Sequence, residues 1–143
     1  MVNEVIADPL AVANELRPVL LRLARALRKE TEQLGITSRQ VTLLWLIREN
    51  RGMSLRELAA EERISAPALS GYVDRLEKAE LLARVRDEGD RRRVGLALTD
   101  EGERLLKRVR ARRTTWLADR LRGLEDEELT ALERAIEPLG RLL

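Results

Sequence analysis

The chain has 143 residues, a formal net charge of +2, 44% hydrophobic residues, 2% aromatic residues, and neither cysteine nor histidine. This fits one ordinary domain, or a small domain with helical extensions, and argues against wholesale disorder. It excludes disulfides, thiol redox sensing and cysteine metal sites, and removes the commonest general base, zinc ligand and pH switch.

Asp8-Pro9 predicts the start of a first helix, with Asp as N-cap and Pro in the first turn. Leu16, Leu20, Leu23, Leu27 and Leu34 recur in steps of three, four or seven, one apolar stripe widened by Leu10, Val19 and Leu21. Pro18 predicts a kink or break inside it, and Gly35 its end. Arg17, Arg22, Arg25, Arg28 and Lys29 line the other face.

Thr37-Ser38-Arg39-Gln40 reads as a capping box opening a second helix through Val41, Leu44, Trp45 and Ile47, which ends near Asn50-Arg51-Gly52. Met53 is placed in a short strand that pairs with a later hairpin. Ser54-Leu55-Arg56-Glu57 reads as another capping box, opening a short third helix with Leu58 and Ala59 inward. Arg63-Ile64 is the turn. Ser65 caps a fourth helix with Pro67 in its first turn and Leu69, Val73 and Leu76 as its buried stripe.

Leu81 and Leu82 lead into a hairpin turned by Asp87-Glu88-Gly89-Asp90 and followed by Arg91-Arg92-Arg93. Val94, Leu96 and Leu98 alternate with Gly95 and Ala97, the pattern of a half-buried strand. Thr99-Asp100-Glu101-Gly102 starts a long fifth helix, with acids placed well against the helix dipole. Its stripe is Leu105, Val109, Trp116, Leu117, Leu121 and Leu124. Gly123 permits a break before a last helix that carries Leu129, Leu132, Ile136 and Leu139.

Helix, turn, helix and basic hairpin make the plan of a winged helix-turn-helix that reads duplex DNA. The expected fold is therefore mainly α with a small β-hairpin wing. Residues 37–99 form the DNA-binding domain; residues 1–36 and 100–143 form a long helical dimerisation region. With Leu69, Val73 and Leu76 buried, the fourth helix turns Ala66, Pro67, Ser70, Gly71 and Asp74 outward. Small residues let a helix sit deep in the major groove, and its N-terminus, at Ser65, favours a phosphate. Arg75 either reaches the flanking DNA backbone or pairs with an acid within the fold.

Charge is unevenly placed. Arg84 to Arg113 carries 11 basic against 6 acidic residues, and Thr114 to Leu143 carries 4 against 7. Only Lys29, Lys78 and Lys107 are lysine, so the cations are almost all planar guanidiniums that suit phosphate and guanine edges. Asp90 and Arg92 are two apart, so on a strand both project to one side, and the carboxylate fixes the guanidinium for the minor groove. Arg91 and Arg93 point the other way, toward phosphates. Arg84 and Arg86 on the partner strand add to the field.

Three stretches together resemble the MarR family of transcriptional regulators. They are Thr37-Ser38-Arg39-Gln40 before a helix, Ser65 to Glu77 ending in Val-Asp-Arg-Leu-Glu, and Asp90-Arg91-Arg92 running on to Leu96-Ala97-Leu98-Thr99-Asp100-Glu101-Gly102. The match covers roughly residues 10 to 142. The resemblance implies a triangular homodimer of winged-helix subunits on a pseudo-palindromic operator, usually a repressor, released by a small, often aromatic or phenolic, ligand. By position it makes Asp90 and Arg92 the wing-tip pair and Ser65 to Arg75 the recognition helix. The sequence departs from the family at Gly71, where many relatives carry a larger residue, which shifts weight from direct base readout to shape and to the wing. Without Cys or His, the family's oxidant and zinc sensing is not expected.

The expected DNA-facing set is therefore Ser38, Arg39, Ser65, Ala66, Pro67, Ser70, Gly71, Asp74, Arg75, Arg84, Arg86, Asp90, Arg91, Arg92 and Arg93. A winged helix of about 60 residues cannot cover the apolar stripes of three further helices. Leu10, Leu16, Val19, Leu20, Leu129, Leu132, Ile136, Leu139, Leu142 and Leu143 are thus expected at a two-fold interface, which would set two recognition helices one DNA turn, or a multiple, apart. Leu44, Trp45, Arg48, Arg113 and Trp116 are candidates to line an effector pocket, with plain core or interface as the alternative. A winged helix used only for protein–protein assembly is the alternative function, and would carry an apolar recognition face. Glu125 to Glu128 reads as a solvated helix start, and no Gly-rich phosphate loop is present, so an enzyme is not expected and no cofactor or metal is implied. MVNEVIADPL lacks the pattern of a signal peptide, and no stretch reaches the ~20 apolar residues of a membrane span. The expectation is a soluble cytoplasmic regulator whose partners are double-stranded DNA, a second copy of itself and a small effector, with no membrane.

Overall fold

The computed structural model describes residues 6–86, 89–90 and 92–143. The elements are α1 (Pro9–Glu32), α2 (Ser38–Glu49), α3 (Leu55–Glu62), α4 (Ala66–Lys78), β1 (Leu82–Arg86), β2 (Val94–Leu98), α5 (Asp100–Leu121) and α6 (Asp126–Gly140). They fall into two compact units, one of Met1–Glu30 with Arg112–Leu143, the other of Thr31–Ala111. No helix among the described residues is long and apolar enough to cross a membrane.

The unit of residues 31–111 holds the core. Val41, Leu43, Leu44 and Ile47 of α2 pack with Leu58 of α3, Leu69, Val73 and Leu76 of α4, Leu82 and Leu96 of the hairpin, and Leu105, Leu106 and Val109 of α5. These are nearly all γ- or β-branched aliphatics at helical spacing, so burial is the main force holding the unit together. Leu43 and Leu106 extend the predicted stripes. Leu34, assigned to the α1 stripe, instead packs against this core.

Helix starts follow local chemistry closely. The Thr37 hydroxyl accepts from the Gln40 amide at 3.1 Å, and the Gln40 side chain accepts from the Thr37 amide at 3.0 Å, a complete capping box. Ser54 and Ser65 accept from the amides of Glu57 and Ala68 at 3.2 and 3.3 Å. The second predicted box is only half formed, because the Glu57 carboxylate pairs with Arg93 instead of turning back to Ser54. The α3–α4 turn passes through Arg63 in the left-handed region at φ 53°, unusual for a side chain with a Cβ. The Ile64 amide closes that end on the Ala59 carbonyl.

Two features of α1 differ from expectation. The helix runs unbroken through Pro18, which can cost it one backbone bond without ending the surrounding ladder. It ends at Glu32, and Gly35, at φ 78°, lies in the turn that follows.

β1 and β2 pair antiparallel, Arg84 opposite Leu96 and Val85 opposite Gly95. The predicted in–out alternation of β2 does not hold: Gly95, Leu96 and Ala97 are all buried, while Val94 is exposed. The cause is a third segment on the free edge of β2. The Gly52 amide donates to the Leu96 carbonyl and the Leu96 amide to the Met53 carbonyl, both at 3.0 Å, and Ser54 bridges Gly95. The strand expected at Met53 is reduced to this bridge. A Cβ at Gly95 would lie 2.3 Å from the Gly52 carbonyl oxygen.

The exit from the hairpin is equally tight. Thr99 donates its amide to the Leu81 carbonyl at 3.2 Å and its hydroxyl to the Glu80 carbonyl, while accepting from the Gly102 amide at 3.1 Å. A Cβ at Gly102 would sit 2.2 Å from the Leu81 carbonyl oxygen. The Leu-Thr-x-x-Gly run therefore does two things at once, capping α5 and letting its first turn lie against the start of β1.

In the other unit, α1 and α6 leave their stripes uncovered. Leu10, Val19, Leu20, Leu129, Leu132, Ile136, Leu142 and Leu143 are exposed, and Leu16 and Leu139 are half-buried. No residue of α6 is buried within the chain. Glu125 and Glu128 cap α6 reciprocally, and Arg112 binds Glu30 at 3.1 Å.

The two glycine contacts differ from Gly140, which has nothing within 4 Å of a built Cβ. Gly95→Ala is expected to destabilise the chain by about 1–3 kcal/mol or more through forced backbone displacement. Gly140→Ala is expected to be neutral or to stabilise by up to about 1 kcal/mol. Urea unfolding of the three proteins checks both signs.

Candidate nucleic-acid interface

The outward face of α4 is made of small side chains. Ser65, Ala66, Pro67, Asp74 and Arg75 are exposed, and Ser70 and Gly71 are half-buried. A Cβ at Gly71 would meet nothing closer than the Arg75 guanidinium at 3.9 Å, so packing within the chain does not require glycine there. The face is small and polar, the opposite of the apolar face that an assembly module needs. Of the two roles predicted for Arg75, the pairing with an acid does not form among the described residues: its guanidinium stacks over the Tyr72 ring, 5.5 Å from the centroid.

The wing cations divide into two groups. Arg84 does not simply add to the field: its Nε lies 3.2 Å from Glu77 Oε2 and its Nη2 3.6 Å from Asp74 Oδ1, so it forks onto two carboxylates of α4. Arg93, expected to point toward phosphates, pairs with Glu57 in the first turn of α3. Arg86 and Arg92 are exposed, with no ion pair among the described residues. Arg39 binds Glu62 at 3.1 Å, tying α2 to the end of α3, and Ser38 is the half-buried first residue of α2. Arg91, with Asp87 and Glu88, lies outside the described residues.

The Asp90–Arg92 relation is also corrected. Both residues precede β2, which begins at Val94, so strand geometry does not apply. Asp90 Oδ1 accepts from the Arg92 backbone amide at 3.0 Å, and the Asp90 carbonyl accepts from the Arg93 amide at 3.0 Å. The carboxylate thus fixes the turn backbone, and through it the direction in which the Arg92 side chain leaves.

The predicted pocket residues separate. Leu44 is fully buried core and lines nothing open. Trp45 and Arg48 line a cleft with Glu103, Leu106, Lys107 and Arg110, about 50 Å³ in volume. Arg48 and Arg110 both stack on the Trp45 ring, at 5.5 and 5.4 Å, and Arg48 binds Glu103 at 2.9 Å. Lys107, Arg110 and Glu103 were not singled out in the sequence, where they look like an ordinary charged helix face. Arg113 and Trp116 belong to the other unit. There Arg120 stacks on Trp116 at 5.0 Å, and partial burial, then the nearby Arg28 guanidinium, lowers the Arg113 pKa from its ordinary value. Among the described residues no cluster of acidic side chains is placed to hold a metal ion.

Comparison with known proteins follows the same lines. The profile of the MarR family matches residues 36–94. YsmB of Bacillus subtilis (strain 168), an uncharacterised HTH-type transcriptional regulator, is 32% identical over 129 residues, 90% of this chain and 88% of YsmB. The HTH-type transcriptional repressor MdtR of the same organism is 29% identical over 114 residues, 80% of this chain and 74% of MdtR. A mutant of S. aureus MepR, solved bound to an oligodeoxyribonucleotide, matches with a TM-score of 0.71 at 22% identity, over 92% of this chain and 97% of that one, a likeness of fold.

The Asp90 bond gives a direct test. Asp90→Ala is expected to speed hydrogen exchange at the Arg92 and Arg93 amides by about fivefold to thirtyfold, as loss of a capping bond worth ~1–2 kcal/mol would. Asp90→Asn keeps an accepting oxygen and should stay near wild type. NMR-detected exchange resolves the two.

Proposed function

We propose that this chain, which belongs to the MarR family of helix-turn-helix transcriptional regulators, acts as a homodimeric repressor on a pseudo-palindromic duplex operator and is released by a small aromatic or phenolic ligand. The observation that carries the reading is the pairing of a small-residue face on α4 with exposed Arg86 and Arg92 on the wing beside it. A helix with such a face fits the major groove, and guanidiniums at a wing tip suit the narrow, negative minor groove. Ser65, Ala66, Pro67, Ser70 and Gly71 make the close approach in this reading. Arg75 takes a flanking phosphate, Arg92 the minor groove, and Arg86 a phosphate alongside. Ser38 and Arg39 meet the backbone at the start of α2.

The uncovered stripes of α1 and α6 support a second copy as partner. Fully burying one Val, Leu or Ile side chain contributes about 1.5–3 kcal/mol, so the eight exposed aliphatics left in water would be a large loss. Repression rather than activation is supported by the name of MdtR. The effector reading rests on the Trp45 cleft, where an aromatic face lies beside two guanidiniums and Lys107. At about 50 Å³ that cleft has room for a water or two. The protein is read as acting in the cytoplasm, where its DNA is.

Operator selected from random duplexes, then titrated over a salt series, tests the reading. Wild type should lose affinity steeply with salt, and Arg92→Ala in both subunits should weaken binding and flatten the log–log slope by about 1–2. An unchanged affinity and slope would remove Arg92 from the interface. Gly71→Ala should move stability and binding in opposite directions: the fold gains about 0.5–1 kcal/mol of helix propensity while operator affinity falls. Thermal melting and the same binding assay read the two effects.

A further inference from the structure

Arg84 and Arg93 attach the hairpin to the two helices of the helix-turn-helix from different sides. Arg84, on β1, forks onto Asp74 and Glu77, one turn apart on α4. Arg93, just before β2, reaches Glu57 in the first turn of α3. In the Arg84–Glu77 and Arg93–Glu57 pairs each side chain is about 40–45% exposed. Exposed pairs of this kind add little to global stability. Their value lies in geometry: residues 52–54 pin one edge of the hairpin through Gly95 and Leu96, and Arg84 and Arg93 tie it to helices that this pairing does not reach.

We infer that Arg84 and Arg93 are positioning residues that set the angle between wing and recognition helix, and are not themselves phosphate contacts. The inference rests on the reading of this unit as the DNA-binding part. A site in which α4 and the wing tip enter two different grooves needs that angle held within narrow limits for the operator. Non-specific binding, which follows total charge, does not. Arg84 and Arg93 therefore act on the ratio of specific to non-specific affinity, and Arg86 and Arg92 act on both together.

Removing the acidic partners separates the two roles, because it leaves every cation in place. Glu77→Gln and Glu57→Gln are compared with wild type for Kd on the selected operator and on an unrelated duplex of equal length. If the arginines hold the wing, each variant lowers the operator-to-unrelated affinity ratio by about threefold to tenfold, the scale that one exposed pair in each of two subunits commands. Binding to the unrelated duplex stays equal or tightens slightly. If the arginines are phosphate contacts merely parked on acids, both affinities rise together, the ratio is unchanged, and the inference is overturned. Melting temperatures within a few degrees of wild type show that the variants are folded. Wild type is measured first by the same assay; a wild-type ratio near one overturns the DNA-binding reading itself, and this inference with it.

Discussion

The winged unit depends on two places where backbone meets backbone with no side chain between. At Gly95 the second wing strand touches the Gly52 carbonyl, and at Gly102 the first turn of α5 touches the Leu81 carbonyl. Together they close the hairpin on both its open edge and its exit. Neither contact tolerates a Cβ without displacing main chain, so the hairpin cannot swing as a free ribbon. Thr99 works in the same place with both its amide and its hydroxyl. The aliphatic core supplies most of the stabilisation, and the glycines let the wing's backbone close onto it, with its angle to α4 left to side chains.

Above that base, charge is sorted by partner. Arg39, Arg48, Arg84, Arg93 and Arg112 are each tied to a carboxylate on another element. Arg75 and Arg110 lie on aromatic rings. What remains exposed and without an ion pair among the described residues at the wing is Arg86 and Arg92. A net charge of +2 thus hides an uneven surface, in which most of the guanidiniums named above are tied to acids or rings and the two at the wing are not. The few aromatics are used with economy, each carrying a stacked guanidinium.

Much of this was legible in the residues because it is local. Caps at Thr37, Ser54, Ser65 and Thr99 need only a hydroxyl and an amide three positions on. The stripes Leu69–Val73–Leu76 and Leu105–Val109 need only helical spacing. What was not legible is non-local. The burial of Gly95 and Ala97 comes from residues 52–54, remote in sequence, so period two in β2 gave the wrong exposure. The partners of Arg84 and Arg93 could not be chosen among many surface acids of similar energy. Strand spacing points Asp90 at the Arg92 guanidinium, but β2 begins only at Val94, and in a turn the nearest donor is the backbone. The pocket set failed at Leu44 because a leucine on a helix stripe is core before it is lining.

In the proposed complex α4 and the wing tip occupy different grooves of one duplex, held at a fixed angle and repeated by a second subunit. Hydroxyl-radical footprinting on a selected operator measures this most directly. The prediction is a two-fold symmetric pattern, with half-sites about one helical turn or a multiple apart and outer minor-groove protections that disappear with Arg92→Ala. A single block of protection without symmetry, or outer protections that survive that substitution, would contradict it.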